Sequence, residues 1–341
     1  MALSRAGSHP VNNILTKFAA EGLEQRFLCD SGVLPEIIVP EISGTFLSDD
    51  PRGYAGAADI DIARGRMGEF SQGVTFDPIV GAFNCIDFGH KVGMDKRLDE
   101  IIDQLGDLGV RRATQAARVT KQKAEQRLVD LLFGVPTGWV TSTAAGLGGG
   151  GVIWSAAAST PISDLALVAT QTVPLQAFGE RPDTIVLSVD VAVALNRHPE
   201  TRGYLSAALN VGVGSRVLSA NDNFAMLRGV IAEATGVDAS RVFVGDYVQN
   251  TANLGLAGAA AFMWTNQVWM GKMGNATPRT VSTGNAISLA PTAAADFSAH
   301  PFLADSFESS NRLVQWFRAS QANAYTAINT DLGFRISACL V

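Results

Sequence analysis

The chain is short of charge. Only 17% of its 341 residues are Asp, Glu, Lys or Arg, against 47% hydrophobic residues and 34 glycines. Basic residues are too few and too scattered, at a net charge of −6, for the sequence-independent grip on phosphates that a nucleic-acid binder needs. Cysteine is nearly absent. Cys29, Cys85 and Cys339 stand far apart and form no CxxC pair, which excludes a zinc knuckle and a disulfide scaffold and fits a reducing cytoplasm. The four histidines, 9, 90, 198 and 300, fall in four separate segments, and no pair has the spacing of a metal-binding helix. No window approaches the roughly 18 uncharged apolar residues of a membrane span. At the N-terminus, Lys17, Glu21, Glu24 and Arg26 interrupt the apolar residues, so no signal peptide is expected.

What is present reads as two lobes' worth of folded chain, poor in surface charge and therefore rich in apolar contact area. Residues 1–35 form an arm with one short mixed helix, Val11 to Leu28. From 36 to 94 the pattern turns strand-like, with Ile37-Ile38-Val39 and Ile42 to Leu47 answered by Val74 to Phe76 and Phe83 to Phe88. Between them lies a polar, Gly-rich tip, Ser48 to Gly68, holding Asp49, Asp50, Arg52, Tyr54, Arg64 and Arg66. That tip cannot bury itself, and a two-stranded ribbon alone is marginal in water, so it needs a neighbouring chain. The acids Asp49-Asp50 and Asp59 with Asp61 read as solvated turns.

Next comes a long amphipathic helix, expected from Asp95 to Phe133, with Leu98, Ile101, Ile102, Leu105, Leu108, Ala113, Ala116, Ala117, Ala124, Leu128 and Leu131 at helical spacing. Acids crowd its first part and bases, Arg111 to Arg127, its second, matching the helix macrodipole. Gly106 and Gly109 weaken its middle by about 1 kcal/mol each relative to alanine, so they either fray it or mark a bend. Gly134 ends it. A Gly-rich connector follows, 139–154, and then an α/β pattern: helix Pro161 to Phe178, buried strand Thr184 to Ser188, helices Asp190 to Asn196 and Phe224 to Thr235, and strand Arg241 to Tyr247. Two edge-rich strands, Ala259 to Trp264 and Val268 to Met273, lead through a Pro/Ala-rich passage, 286–304, to a closing β segment, 311–341. There, Val314, Trp316 and Arg318 alternate with Leu313, Gln315 and Phe317, a strand with one covered face rather than a base-stacking platform.

Candidate chemistry is sparse. The glycines of 146–151 suggest a phosphate cradle, but no Lys-Ser or Lys-Thr follows and the dinucleotide fingerprint is absent. His198, between Arg197 and Pro199, reads as a helix-end marker; a Ser-His-Asp set stays open, although no GxSxG elbow anchors one. No catalytic, cofactor or metal residues are assigned.

Several blocks nevertheless form an ordered series: Arg181-Pro182-Asp183-Thr184-Ile185-Val186-Leu187, Asn196-Arg197-His198-Pro199, Val242-Phe243-Val244-Gly245, and Ala261-Phe262-Met263-Trp264 leading into Val268-Trp269-Met270. With Pro161-Ile162 and Asn250, this order resembles the major capsid proteins of tailed double-stranded DNA bacteriophages, the Hong Kong 97-like fold, over nearly the whole chain. Asp183 and Thr160 stand where that family usually has asparagine. The resemblance implies an α+β fold with an N-terminal arm (1–35), an extended loop and its base strands (36–94), a peripheral domain with the spine helix (95–155), an axial domain (156–310) and a closing peripheral segment (311–341). It implies a virion structural protein, not an enzyme, that self-assembles into pentamers and hexamers and then an icosahedral head in the host bacterial cytoplasm. Its partners would be other copies of itself, scaffolding, portal and decoration proteins, and packaged DNA held non-specifically, with no membrane and no cofactor. The tip residues would contact a neighbouring subunit, and Gly106 with Gly109 would bend the spine during shell maturation. A nanocompartment shell or gene-transfer particle shares these expectations, and an α/β enzyme using 146–151 is the rival of another class.

Overall fold

The structure, a computed structural model, describes residues 27–51, 79–95, 108–147, 152–209, 224–251, 258–274, 279–280, 286–308 and 313–340. Its first strands are β1 (Glu36–Ile38), β2 (Ser43–Ser48), β3 (Ile79–Asn84), β4 (Ile86–Asp95), β5 (Val140–Thr143), β6 (Thr184–Ser188) and β7 (Val242–Gly245). The rest are β8 (Val248–Asn250), β9 (Ala260–Phe262), β10 (Gln267–Gly271), β11 (Arg279–Thr280), β12 (Ala286–Leu289), β13 (Ala294–Glu308), β14 (Val314–Ala327) and β15 (Gly333–Ser337). The chain divides into two compact units, each gathered from three lengths of sequence: the first from 1–44, 82–129 and 296–326, the second from 45–81, 130–295 and 327–341.

In the first unit a four-stranded sheet runs β1-β13-β14-β4. The spine helix is described over Leu108–Leu132 and shares one core cluster with the sheet's covered face. Ala113, Ala116, Ala117 and Met94 bury against Phe317, Ala319 and Ala304. Small side chains at the helical contact let its backbone come near the sheet, and Thr120 Oγ1 reaches both Ala116 O (3.0 Å) and Ala319 O (3.1 Å). The expected apolar stripe is thus observed from Ala113 to Leu131. Its expected start at Asp95 is not: Asp95 closes β4, paired with Val314, and residues 96–107 lie outside the described residues. The macrodipole reading of the bases also fails in part, because no basic residue occupies the last turn and Lys121 is buried.

The Pro/Ala-rich passage proves to be strand. β13 runs for 15 residues, with Pro301 past the end of the β1 pairing, where a missing N–H on that side costs no ladder bond. The covered face of β14 carries Phe317 and Ala319, so the tail's aromatics serve the sheet.

The second unit holds a five-stranded mixed sheet, β5-β15-β10-β6-β7. β10, expected as an edge strand, is its centre, antiparallel to both β15 and β6. β15 therefore belongs to this sheet, and the closing segment 311–341 contributes to both units. Its core is tryptophan laid on glycine. A Cβ on Gly245 would come 2.3 Å from Trp264 Cγ, and one on Gly333 would meet the Trp139 ring at 2.6 Å. The helix expected from Pro161 to Phe178 forms, but Pro174 lacks the N–H that would bond one turn back, and the helix widens into a π turn at Val168–Thr172. It stops at Phe178, which takes φ 53°.

Gly245→Ala is expected to destabilise the chain by about 1–3 kcal/mol, because Trp264 is fully buried and cannot yield. Gly229→Ala, in the helix Ala225–Thr235 with open space beside it, is expected to stabilise by about 0.5–1 kcal/mol. Urea unfolding of the soluble chain reads both.

Candidate functional site

The nearest approach to catalytic geometry is Ser159 with His198, 3.1 Å apart and both buried. Hydrogen-bond logic fixes the roles. His198 Nδ1 accepts the N–H of Glu200 (3.2 Å), so the ring's proton is on Nε2, from which it reaches Ala156 O (3.1 Å). Ser159 Oγ donates to Ala156 O (2.7 Å). The imidazole nitrogen facing the serine is thus a donor, unable to take its proton, and the pair ties a loop to a helix start. His198 closes the helix Val189–Arg197 and precedes the helix Pro199–Leu209, as its position beside Pro199 indicated.

The blocks singled out in the sequence are explained by packing and capping. Ile185, Val186 and Leu187 are fully buried in β6. Asp183 accepts the N–H groups of Met273 (2.9 Å) and Gly274 (2.8 Å) with its two oxygens, and Arg241 lies 3.8 Å away. A carboxylate suits two donors and a cation better than an amide, which is a physical account of the departure from asparagine. Thr160 makes no cap bond to the helix Pro161–Leu167. Glu200 supplies it from another helix, taking the N–H groups of Ile162 (2.8 Å) and Ser163 (3.1 Å). Trp154 Nε1 donates to the buried Asp164 (2.8 Å), whose carboxyl is shifted upward by burial. No sequence pattern announced Glu200 or Trp154 as partners, because each acts across 10 to 38 residues.

The tip residues are placed unequally. Asp49 is half-buried, its N–H bonded to Leu289 O (3.2 Å), and Asp50 is buried at 8% exposure, so the solvated-turn reading does not hold for Asp50. Both follow directly on β2, which pairs in parallel with β12 up to Ser48 and Leu289, and this pairing draws them inward. Arg52, Tyr54, Arg64 and Arg66 lie outside the described residues, as does Gly106. Gly109 sits in the first described turn of the spine helix. Of the connector, 148–151 lies outside the described residues, while Gly146 closes a short turn whose N–H is taken by Thr143 Oγ1 (3.1 Å).

The first unit contains a cavity of about 370 Å³ with polar walls, among them Cys29, Asp30, Lys121, Asp296, His300 and Tyr325. Lys121 Nζ meets Asp30 at 2.5 Å, and the Cys29 N–H donates to Glu125 (2.9 Å). Burial, followed by the charge of Glu36, pushes the Asp296 carboxyl up to about 7. The Cys29 thiol and the Tyr325 hydroxyl are raised by burial as well. Sequence reasoning missed this cluster entirely. Its members come from four separated segments, and the sequence shows Cys29, Lys121 and His300 only singly, as a lone cysteine, one of the spine's bases and an isolated histidine. Among the described residues, no three His, Cys, Asp or Glu side chains converge to hold a metal, and no helix is long and apolar enough to cross a membrane.

The tautomer argument makes a prediction. A fluorophosphonate probe is expected to leave Ser159 unlabelled in the folded chain, whereas labelling there would restore the hydrolase reading.

No family profile matches the sequence, and neither does any curated protein. Solved structures do match. A phage-related protein from Bordetella bronchiseptica RB50 superposes with a TM-score of 0.63 at 17% identity, covering 97% of this chain and 98% of that one. A virus-like particle from Pyrococcus furiosus gives 0.54 at 13%, with 95% and 98% covered. The capsid of a native GTA particle gives 0.52 at 13%, with 94% and 92% covered. The chain has the mixed α+β, Hong Kong 97-like capsid fold over almost its entire length.

Proposed function

We propose that the chain is a major capsid protein, a structural subunit that assembles into pentamers and hexamers and from these into an icosahedral head around packaged double-stranded DNA. The observation that carries this reading is the extent of the structural likeness, end to end in both chains rather than through one shared lobe. The chain's own surface supports it. Leu175 is 81% exposed, Val135 79% and Ile38 79%, on a protein with only 17% charged residues, and such apolar side chains gain stability against neighbours. Weak contacts suffice in a shell of many copies, because simultaneous contacts multiply. The acidic balance suits a wall that holds DNA without gripping it.

In this reading the subunit acts by association rather than catalysis, resides in the virion, and is assembled in the host bacterial cytoplasm with scaffolding, portal and decoration proteins. Arg52, Tyr54, Arg64 and Arg66 contact an adjacent subunit, joined by Asp49; the burial of Asp50 within its own chain gives it a supporting part instead. Gly106 and Gly109 serve as a bend in the spine when the shell matures. A shell that is not a phage head, such as a nanocompartment, is the second reading; the likeness to a virus-like particle from Pyrococcus furiosus supports its shell part.

Overexpressed chain is expected to sediment as capsomers or particles, with rings or shells in electron micrographs; a defined monomer at all concentrations would refute the proposal. Deleting 52–66, which spares Asp50, is expected to leave a soluble folded chain that no longer closes shells. Particles purified from infected or induced cells separate the two readings, since a head contains DNA and a nanocompartment contains protein cargo.

A further inference from the structure

β1 is the edge of its sheet and joins it through three residue pairs only. In that register Glu36 stands directly beside Asp296 of β13, and paired residues on parallel neighbours project from the same face. Two carboxyls therefore lie side by side at the place where the chain enters the sheet. The backbone binds them further, since Asp296 N–H donates to Pro35 O (3.0 Å).

The surroundings of Asp296 do not favour its charge. Its Oδ1 is shut off from solvent with no hydrogen-bond partner. A bond with the Asn323 side chain is its polar contact, and because Asn323 Oδ1 already accepts from Arg127 (2.9 Å), the amide N–H of Asn323 is what reaches the carboxyl. The charged groups of the spine helix on this side are Lys121, Glu125 and Arg127. Lys121 is committed to Asp30, and Arg127 to Asn323 and to the rings of Phe88 and Tyr325. Neither cation forms an ion pair with Asp296. The remaining titratable groups around it are Tyr325 on β14, Cys85 between β3 and β4, and Cys29, Asp30 and His300 on the cavity wall.

We propose that Asp296 and Glu36 form a proton-operated latch: with Asp296 protonated, β1 lies firmly against β13, and loss of that proton loosens the edge strand. An aspartate in an unfolded chain releases its proton near pH 4. In the folded chain Asp296 holds it up to about pH 7. The stabilisation is therefore complete below the unfolded value and is lost as the pH rises through about 7, the reverse of an ion-paired carboxylate. Ile37 and Val39 are buried, and that apolar contact holds the strand in place while its edge loosens. The latch rests on this unit's own geometry and not on the shell reading. It acts on the short strand that links residues 1–35 to β2.

Hydrogen exchange on the soluble full-length chain tests it, with rates corrected for the intrinsic effect of pH. Protection of the amides of 36–39, Val39 N–H above all since it bonds Ser298 O (2.9 Å), is expected to fall by at most about tenfold per pH unit as the pH rises from about 4 to about 7, the range in which the loosened strand has released the proton that the closed one still holds, and to level off above about 7. Asp296→Asn, which keeps the shape without the charge, should hold the high protection throughout, and Glu36→Gln, by removing a charge that raises the Asp296 carboxyl, should end the fall at a lower pH and lessen it. Flat protection in the unaltered chain, or an equal fall in Asp296→Asn, overturns the latch. Should Asp296→Asn not fold, carbon-13 NMR of the unaltered carboxyls decides, because titration of Asp296 near pH 4 would also overturn it.

Discussion

The close seating of an alanine-faced helix on a sheet governs the first unit. Ala113, Ala116, Ala117 and Ala124 are all but inaccessible, and their small size brings with them the flanking side chains that a bulkier contact would hold outside. Glu125 is fully buried and Lys121 nearly so, and each charge drawn inward must find a partner. Asp30, the Cys29 N–H and Asn323 meet that need, with the aromatic faces of Phe302, Phe88 and Tyr325 beneath the cations. The polar cavity gathers beside this seating, and burial there, followed by the charge of Glu36, displaces the proton affinity of Asp296.

The second unit solves its packing differently. Its strands β6, β7, β10 and β15 are buried almost end to end, and the large residues packed there, Trp139, Trp264 and Trp269, need room that glycine provides. Gly245 and Trp264 are thus one structural device, not two separate marks in a sequence. The same holds for Asp183 with the Met273–Gly274 turn and for Glu200 with the start of the helix Pro161–Leu167. These side chains finish the hydrogen bonding of backbone that regular structure leaves unmet.

Elements whose cause is local were legible in the sequence: the helical stripe from Ala113 to Leu131, the buried run Thr184 to Ser188, and the helix ended at His198 before Pro199; the α+β class came from the family resemblance. Features set by distant partners were not. β10 reads like an edge strand until β15 and β6 arrive on both sides, and 286–304 reads only as a Pro/Ala-rich passage because alanine and proline carry little strand preference of their own. Asp50 looks like a turn residue for the same reason, since its burial depends on β12 from far along the chain. At the candidate site, the blocks at 181–187, 196–199, 242–245 and 261–270 were visible, but the reasons for them, a tautomer, a carboxylate's second acceptor and a missing Cβ, exist only in three dimensions.

The first unit is stitched from three lengths of chain, and Thr120 touches Ala319 across 199 residues. Contacts so remote in sequence make folding slow, because a large loop must close before any of them is rewarded. During synthesis the helix has no β14 to rest on until the 199 residues that separate Thr120 from Ala319 have been made. The first unit therefore waits, helix exposed, while the whole of the intervening chain emerges.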